Sequence, residues 1–243
     1  VWQVTFAKLK KQGFMIVAVA EDSGGAERAR PWIEAAHAEY LCLIDTEHRV
    51  SDLYGLVNVP QAVWIDERGL IVRPPENSGW TDEWRHNAAA LAQMPPEERK
   101  TRGRLMTPEQ TAARDAGRLA YMAALEDWVQ SGRHELAHDA ARRALPPHTA
   151  EIALAQAHFR LGVWLRRNGR DAEGDRHLAQ ASRLHPESWT IWRQGAELAQ
   201  AGGASGTEFL KRMAALGDKA YYPAPGLPGF GAQGGEKNPG GGQ

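Results

Sequence analysis

The 243-residue sequence contains a single cysteine, Cys42. One thiol excludes an internal disulfide framework, a four-cysteine metal site and an intact Cys-x-x-Cys redox motif. The chain also lacks an excess of either charge: 29 Lys and Arg stand against 30 Asp and Glu, a net of −1. A general nucleic-acid binder needs a clustered basic surface to neutralise phosphates, so this balance argues against one. No apolar run approaches the roughly 18 residues that a membrane-spanning helix requires. The first residue is Val1 rather than Met. A missing leader therefore carries no information on compartment; the cytoplasm is slightly favoured, and a truncated or processed chain is expected. What is present is ordinary for a folded protein, with 42% hydrophobic and 24% charged residues.

Residues 1–73 read as alternating helices and strands. The run 14–20 (FMIVAVA) follows Lys10-Lys11-Gln12-Gly13 and has the continuous apolar character of a buried parallel strand. A helix is expected over 26–40, with Pro31 in its first turn. A second strand covers 41–44, and a helical turn over 50–54 closes at Gly55. Strands at 61–66 and 70–73 flank Glu67-Arg68-Gly69 as a hairpin. This order predicts an α/β sandwich with a mixed sheet.

Residues 74–106 change character. Pro74-Pro75, Asn77-Ser78-Gly79 and Pro95-Pro96 break the pattern, so the segment is expected to be a connector with a short helix over 81–94 carrying Trp84, Ala88 and Leu91. A helical domain is expected over 107–219. Thr107-Pro108-Glu109-Gln110 combines an N-cap, a proline at N1 and a Gln at N3. Within it, His158-Phe159-Arg160-Leu161-Gly162 leads on through Gly169, Leu178, Ala181 and Pro186. These spacings resemble a tetratricopeptide repeat, with Gly174 standing where Ala is expected. An earlier unit fits in part through Tyr121, Leu125, Trp128, Gly132, Ala137 and Ala144; its turn glycine precedes Gly169 by 37 residues, against about 34 in the standard repeat. Residues 220–243, rich in Gly and Pro, are expected to be a disordered tail.

The most informative stretch is 54–72, Y-G-L-V-N-V-P-Q-A-V-W-I-D-E-R-G-L-I-V. With Gly13-Phe14-x-Ile-Val-Ala-Val and Leu41-x-Leu-Ile-Asp45 upstream, it resembles the second half of a thioredoxin-like domain of the TlpA/ResA-like redoxins. The resemblance implies an N-terminally incomplete thioredoxin-like sandwich over 1–73, followed by an all-α tetratricopeptide-like domain. It implies a cis bond before Pro60, with Val59, Pro60 and the adjoining Asn58 framing a protein disulfide or peroxide substrate. It also implies a nucleophilic Cys or selenocysteine at the N-terminus of the first helix, where the helix dipole lowers a thiol pKa. No such residue is present, because 1–11 reads as the tail of that helix. The chain is therefore expected to be a redoxin that is inactive as it stands or, alternatively, a redox-dead scaffold that binds a protein partner through its helical repeats. Neither reading needs a cofactor.

Four other features bear on function. Cys42 lies in a predicted strand, where a lone cysteine behaves as a small apolar residue. His134-Glu135-Leu136-Ala137-His138 matches H-E-x-x-H, which on a helix would set two zinc ligands on one face. The repeat reading instead places this pair on the solvent side of a helix, and a zinc hydrolase stands third. Glu21-Asp22-Ser23-Gly24-Gly25 lacks the spacing of a nucleotide loop. Among the nine tryptophans, Trp128, Trp164, Trp189 and Trp192 are expected in the core.

Overall fold

The computed structural model describes residues 1–79, 85, 87–102, 106–221, 224–228 and 230. The elements run α1 (Trp2–Leu9), β1 (Val17–Glu21), α2 (Ala26–Ala36), β2 (Leu41–Asp45), α3 (Arg49–Tyr54), β3 (Gln61–Ile65), β4 (Ile71–Asn77), α4 (Ala88–Gln93) and α5 (Pro96–Arg102). Six further helices follow: α6 (Pro108–Ser131), α7 (His138–Arg143), α8 (Ala150–Arg167), α9 (Asp171–Leu184), α10 (Trp189–Ala199) and α11 (Thr207–Ala214). No helix among the described residues is long and apolar enough to cross a membrane.

The expected thioredoxin-like sandwich is not formed. The four strands make two separate two-stranded sheets, β1–β2 parallel and β3–β4 antiparallel, with no ladder joining β1 to β3. A sandwich built on a mixed sheet needs a strand bonded to both halves and helices over both faces. Instead, Val17, Leu41 and Leu43 remain 53%, 51% and 45% exposed. Val17 pairs with Leu41 and Val19 with Leu43, so these exposed side chains share one uncovered face. The chain is a mixed α/β protein in which helices dominate.

Several local expectations also change. The first strand begins at Val17, so Phe14 is free to pack into the core around Trp64. Helix α2 ends at Ala36, with His37 in the left-handed region (φ 46°), and Pro31 sits in its second turn, where its ring nitrogen cannot donate to the Glu27 carbonyl. Pro74 and Pro75 lie inside β4. They are tolerated because β4 is bonded on one side by β3 and a proline on an edge owes no N–H to a ladder. The expected helix at 81–94 is observed as Ala88–Gln93, and Trp84 lies outside the described residues.

The helical part starts as its sequence predicts. The Thr107 hydroxyl accepts from Gln110 N while the Gln110 side chain accepts from Thr107 N, closing a reciprocal cap at α6. Thr149 and Ser188 cap α8 and α10 through the N–H groups of Ile152 and Ile191. The earlier repeat unit does not form a hairpin of matched helices: α6 runs 24 residues, ends at Gly132 (φ 71°), and is followed by α7 of only six. In contrast, α8 and α9 form a close hairpin. A Cβ on Gly174 would stand 2.9 Å from the Gly162 carbonyl oxygen, and one on Gly162 would stand 3.0 Å from that of Gly174. This reciprocal approach explains why Gly174 replaces the expected Ala.

Three apolar clusters hold the molecule. Trp64 and Val72 of the β3–β4 sheet pack with Tyr121, Met122 and Leu125 of α6 and with Leu227. Ala88 and Leu91 pack with Trp189, Phe209, Met213 and Tyr221. Ala155, Phe159 and Val163 of α8 meet Leu178 and Ala181 of α9 and Ile191 of α10. Tyr221 and Leu227 are thus buried within a segment expected to be tail, while 231–243 lie outside the described residues.

Candidate functional site

In open α/β structures the carboxyl ends of parallel strands are where loops converge and ligands bind. Here β1 ends at Glu21 and β2 at Asp45. Asp45 Oδ2 accepts from Val50 N (2.7 Å) and Oδ1 from Glu47 N (3.1 Å), which turns the chain into α3. His48 occupies the turn with φ 53°, a left-handed conformation that aims its ring inward.

The His48 ring is buried, and it joins three chain segments. Its Nε2 lies 3.2 Å from Ser23 Oγ, and its Nδ1 lies 2.9 Å from Glu21 Oε2. The carboxylate is off the line of the Nδ1–H bond, so this contact is a close polar approach rather than an aligned hydrogen bond. Ser51 N donates to Glu21 Oε1 at 2.9 Å, and the Ser51 hydroxyl donates to Oε2. The Phe159 ring of α8 meets the imidazole edge-on at 5.0 Å.

Carboxylate, imidazole and hydroxyl in series form the order of groups used in acyl transfer. The surroundings do not suit that chemistry. Ser23 is only 6% exposed. Its backbone N–H is bonded to Gln194 Oε1 (3.2 Å), and so is not held free for a developing oxyanion. Gln194 Nε2 also donates to the Glu21 carbonyl (3.4 Å), so one amide side chain of α10 ties down the end of β1 from two sides. The cluster is a buried polar lock between strand ends and helices.

A cleft of about 190 Å³ lies beside this lock, lined by Glu47, Phe159, Arg160, Val163, Trp164 and Arg167. Its volume is below the roughly 300–1,000 Å³ of pockets that hold drug-sized ligands, and it fits one or two side chains better than a nucleotide or flavin. Trp164, expected in the core, is 53% exposed here. The α8 residues that face α9 are Phe159, Gly162 and Val163, and Trp164 falls one position past that stripe. Arg160 Nη1 donates to Asp52 Oδ2 at 2.7 Å. Arg167 Nη2 donates to the carbonyls of Ser23 (2.9 Å) and Thr46 (3.1 Å). Among the described residues no carboxylate lies within ion-pair distance of Arg167.

The sequence-predicted substrate loop lies elsewhere. The Val59–Pro60 bond is cis, and both residues are half-buried. Asn58 is buried and committed to structure: its Oδ1 accepts from Val59 N (3.0 Å), and its Nδ2 donates to the Tyr221 carbonyl (3.3 Å). Gln61 Oε1 accepts from the N–H groups of Val57 and Asn58, and the Val57 carbonyl accepts from Thr190 N. The loop is stitched to α10 and to the C-terminal segment.

Cys42 is half-buried within β2, opposite Ala18, with Sγ 3.7 Å from the Tyr40 carbonyl oxygen. The H-E-x-x-H motif is not helical. His134 has φ 74° and its Nε2 lies 3.1 Å from Asp127 Oδ2; Glu135 accepts from Trp128 Nε1; His138 begins α7. The two imidazoles therefore do not share a helix face. No cluster of three or more metal-ligating side chains occurs among the described residues.

Sequence reasoning missed His48, Ser51 and Arg167; it singled out the Ser23 loop but only as an unlikely nucleotide site, and placed Trp164 in the core. The one available signal was polar residues directly after two predicted strand ends. The chain matches no known family model, and no curated protein or solved structure shows significant similarity to it.

Proposed function

We propose that this chain is a protein-binding module whose cleft on α8 receives an apolar side chain followed by an acidic one from a partner segment. The observation that carries this reading is Trp164, half-exposed between Arg160 and Arg167. Trp and Arg are the side chains that dominate binding energy when a partner covers them. Phe159 and Val163 give the cleft an apolar floor, and the Arg167 guanidinium has carbonyl partners only, so an incoming carboxylate would complete a charge-assisted pair. The alternative of thiol–disulfide or peroxide chemistry is supported by the sequence resemblance alone, since Cys42 offers no resolving partner.

The test is a random-peptide display selection against the whole chain, with affinities of the selected peptides measured by fluorescence anisotropy. Peptides pairing an aromatic or branched apolar residue with Asp or Glu should be enriched. Trp164→Ala should weaken them at least tenfold, about 1.4 kcal/mol. Lys10→Ala, on a distant salt bridge, should leave them unchanged. Selected peptides insensitive to Trp164→Ala, or catalytic reduction of a disulfide substrate by the chain, would refute the reading.

A further inference from the structure

Away from the cleft, the α8–α9 hairpin brings two histidines together. His158 precedes Gly162 by one helical turn, and His177 follows Gly174 by nearly one. The helices run antiparallel and touch backbone to backbone at those glycines, so the imidazoles meet across the seam. Their Nδ1 atoms are 2.7 Å apart, with ring centroids at 4.9 Å and planes inclined by 30°. Both side chains are half-buried and so reachable from solvent.

At this distance the two Nδ1 atoms share a hydrogen bond. A hydrogen bond between two Nδ1 atoms needs one N–H donor and one bare lone pair. Two protonated Nδ1 atoms would face each other donor to donor. One Nδ1 therefore presents a lone pair, and the other presents one as well when its ring takes the tautomer with the proton on Nε2; two neutral imidazole lone pairs are what a borderline cation uses.

We infer that His158 and His177 form a two-histidine site for a late first-row divalent cation, Cu²⁺ or Zn²⁺, which clamps α8 to α9. With metal–nitrogen bonds of about 2.0–2.1 Å, the two nitrogens would stand about 3.3 Å apart on tetrahedral Zn²⁺ and about 2.9 Å apart at two cis equatorial positions of Cu²⁺. The present 2.7 Å must open by about 0.2 Å for Cu²⁺ and about 0.6 Å for Zn²⁺, a small swing for half-buried rings. Water completes the shell, since no third His, Cys, Asp or Glu joins the pair among the described residues. Glu173, one turn earlier on α9, is paired with Arg170, and that hydrogen bond holds its carboxyl below the usual range. Imidazole donors and the Irving–Williams order place Cu²⁺ above Zn²⁺ and exclude Mg²⁺ and Ca²⁺, which require oxygen cages.

The experiment uses the whole chain, stripped with EDTA, at pH 7.5. Titration with Cu²⁺, followed by electron paramagnetic resonance, should show one equivalent bound by two equatorial imidazole nitrogens. Zn²⁺ should compete for the site and raise the melting temperature, because it binds the folded hairpin. His158→Gln and His177→Gln should each weaken binding at least tenfold, while the double variant His134→Gln/His138→Gln should not. A measurement that needs no variant is the NMR spectrum with substoichiometric Cu²⁺, in which amides around 158 and 177 should broaden first. Broadening centred on other histidines, one-nitrogen or no-nitrogen coordination, or equal affinity in the His158 and His177 variants would overturn the site.

Discussion

Trp64 and Val72 of the β3–β4 sheet sit in an aromatic core with Tyr121, Leu125 and Trp128, whereas the β1–β2 sheet leaves Val17, Leu41 and Leu43 open and meets α8 and α10 largely through polar groups. In the first region Trp64 stacks on Trp128 at 4.9 Å and donates its indole N–H to the Tyr121 hydroxyl at 2.8 Å, and burial pushes the Tyr121 phenol up. Arg73 adds a buried two-point bond to Glu76 and lies over the Trp64 ring. In the second region, Glu21, Ser23, His48 and Ser51 form the lock, Gln194 reaches in from α10, and Arg28 pairs with Glu197. Apolar burial is strong and tolerant of small shifts. Polar docking is specific, and it fails when one partner is removed. The two sheets should therefore differ in how mutation, exchange and pH affect them.

The largest effect is expected at Trp64. Trp64→Ala removes a buried indole and strands the Tyr121 hydroxyl, at a cost of about 3–5 kcal/mol. Small domains have roughly 5–15 kcal/mol in total, so chemical denaturation should show a large, global loss. If only the β3–β4 amides lose protection while the helices keep theirs, the aromatic core is not the common support.

Glu21→Gln is expected to cost about 1–3 kcal/mol, because the amide cannot accept from every donor now pointed at the carboxylate. Its effect should be local. Hydrogen exchange should quicken over 17–21, 41–45 and 49–54 and stay unchanged over 61–77. Uniform quickening in both sheets would erase the distinction between polar and apolar docking.

What could be read in the sequence was short-range. The Thr107–Gln110 cap and the helix stops at Gly55 and Gly132 each follow from a few adjacent residues, and each is found; the cis bond before Pro60, implied by the resemblance alone, is found as well. The pairing of strands was not legible. Whether β1 and β3 share a sheet depends on partners some 40 residues apart, and the same apolar runs serve a joined sheet or two separate ones. Pro74-Pro75 was misleading for a related reason: a proline breaks a central strand but suits an edge, and edge status is a tertiary fact. The polar lock joins Glu21 and Ser23 to His48 and Ser51, two segments with Ser23 and His48 25 residues apart, so no short-range spacing rule links them. Trp164 was expected in the core from its helical position, although the α8 stripe through Phe159, Gly162 and Val163 leaves it on the flank.

The smallest effect tests the outer edge of the polar dock. The Glu197 carboxylate is 12% exposed, and Arg28, on α2, is half in solvent. Burial pushes this carboxyl up, but the Arg28 guanidinium and the N–H groups of Gly202 and Ala204 together outweigh it and hold it below the usual 4.5. A carboxyl lowered on folding binds fewer protons in the folded state than in the unfolded one. Its contribution is therefore complete above about pH 4.5 and disappears as the pH falls through the lower folded value. Because the arginine is solvated, the pair itself is worth only about 0.2–1 kcal/mol. Glu197→Gln should lower stability by that amount at pH 7 and by less as the pH falls through the lowered folded value, with the difference shrinking in 1 M salt. In Trp64→Ala the destabilisation should be the same at pH 7 and at pH 3. If Glu197→Gln costs as much at pH 3 as at pH 7, the contact of α2 with α10 is one of packing, and the electrostatic character of this dock is confined to the buried His48 cluster.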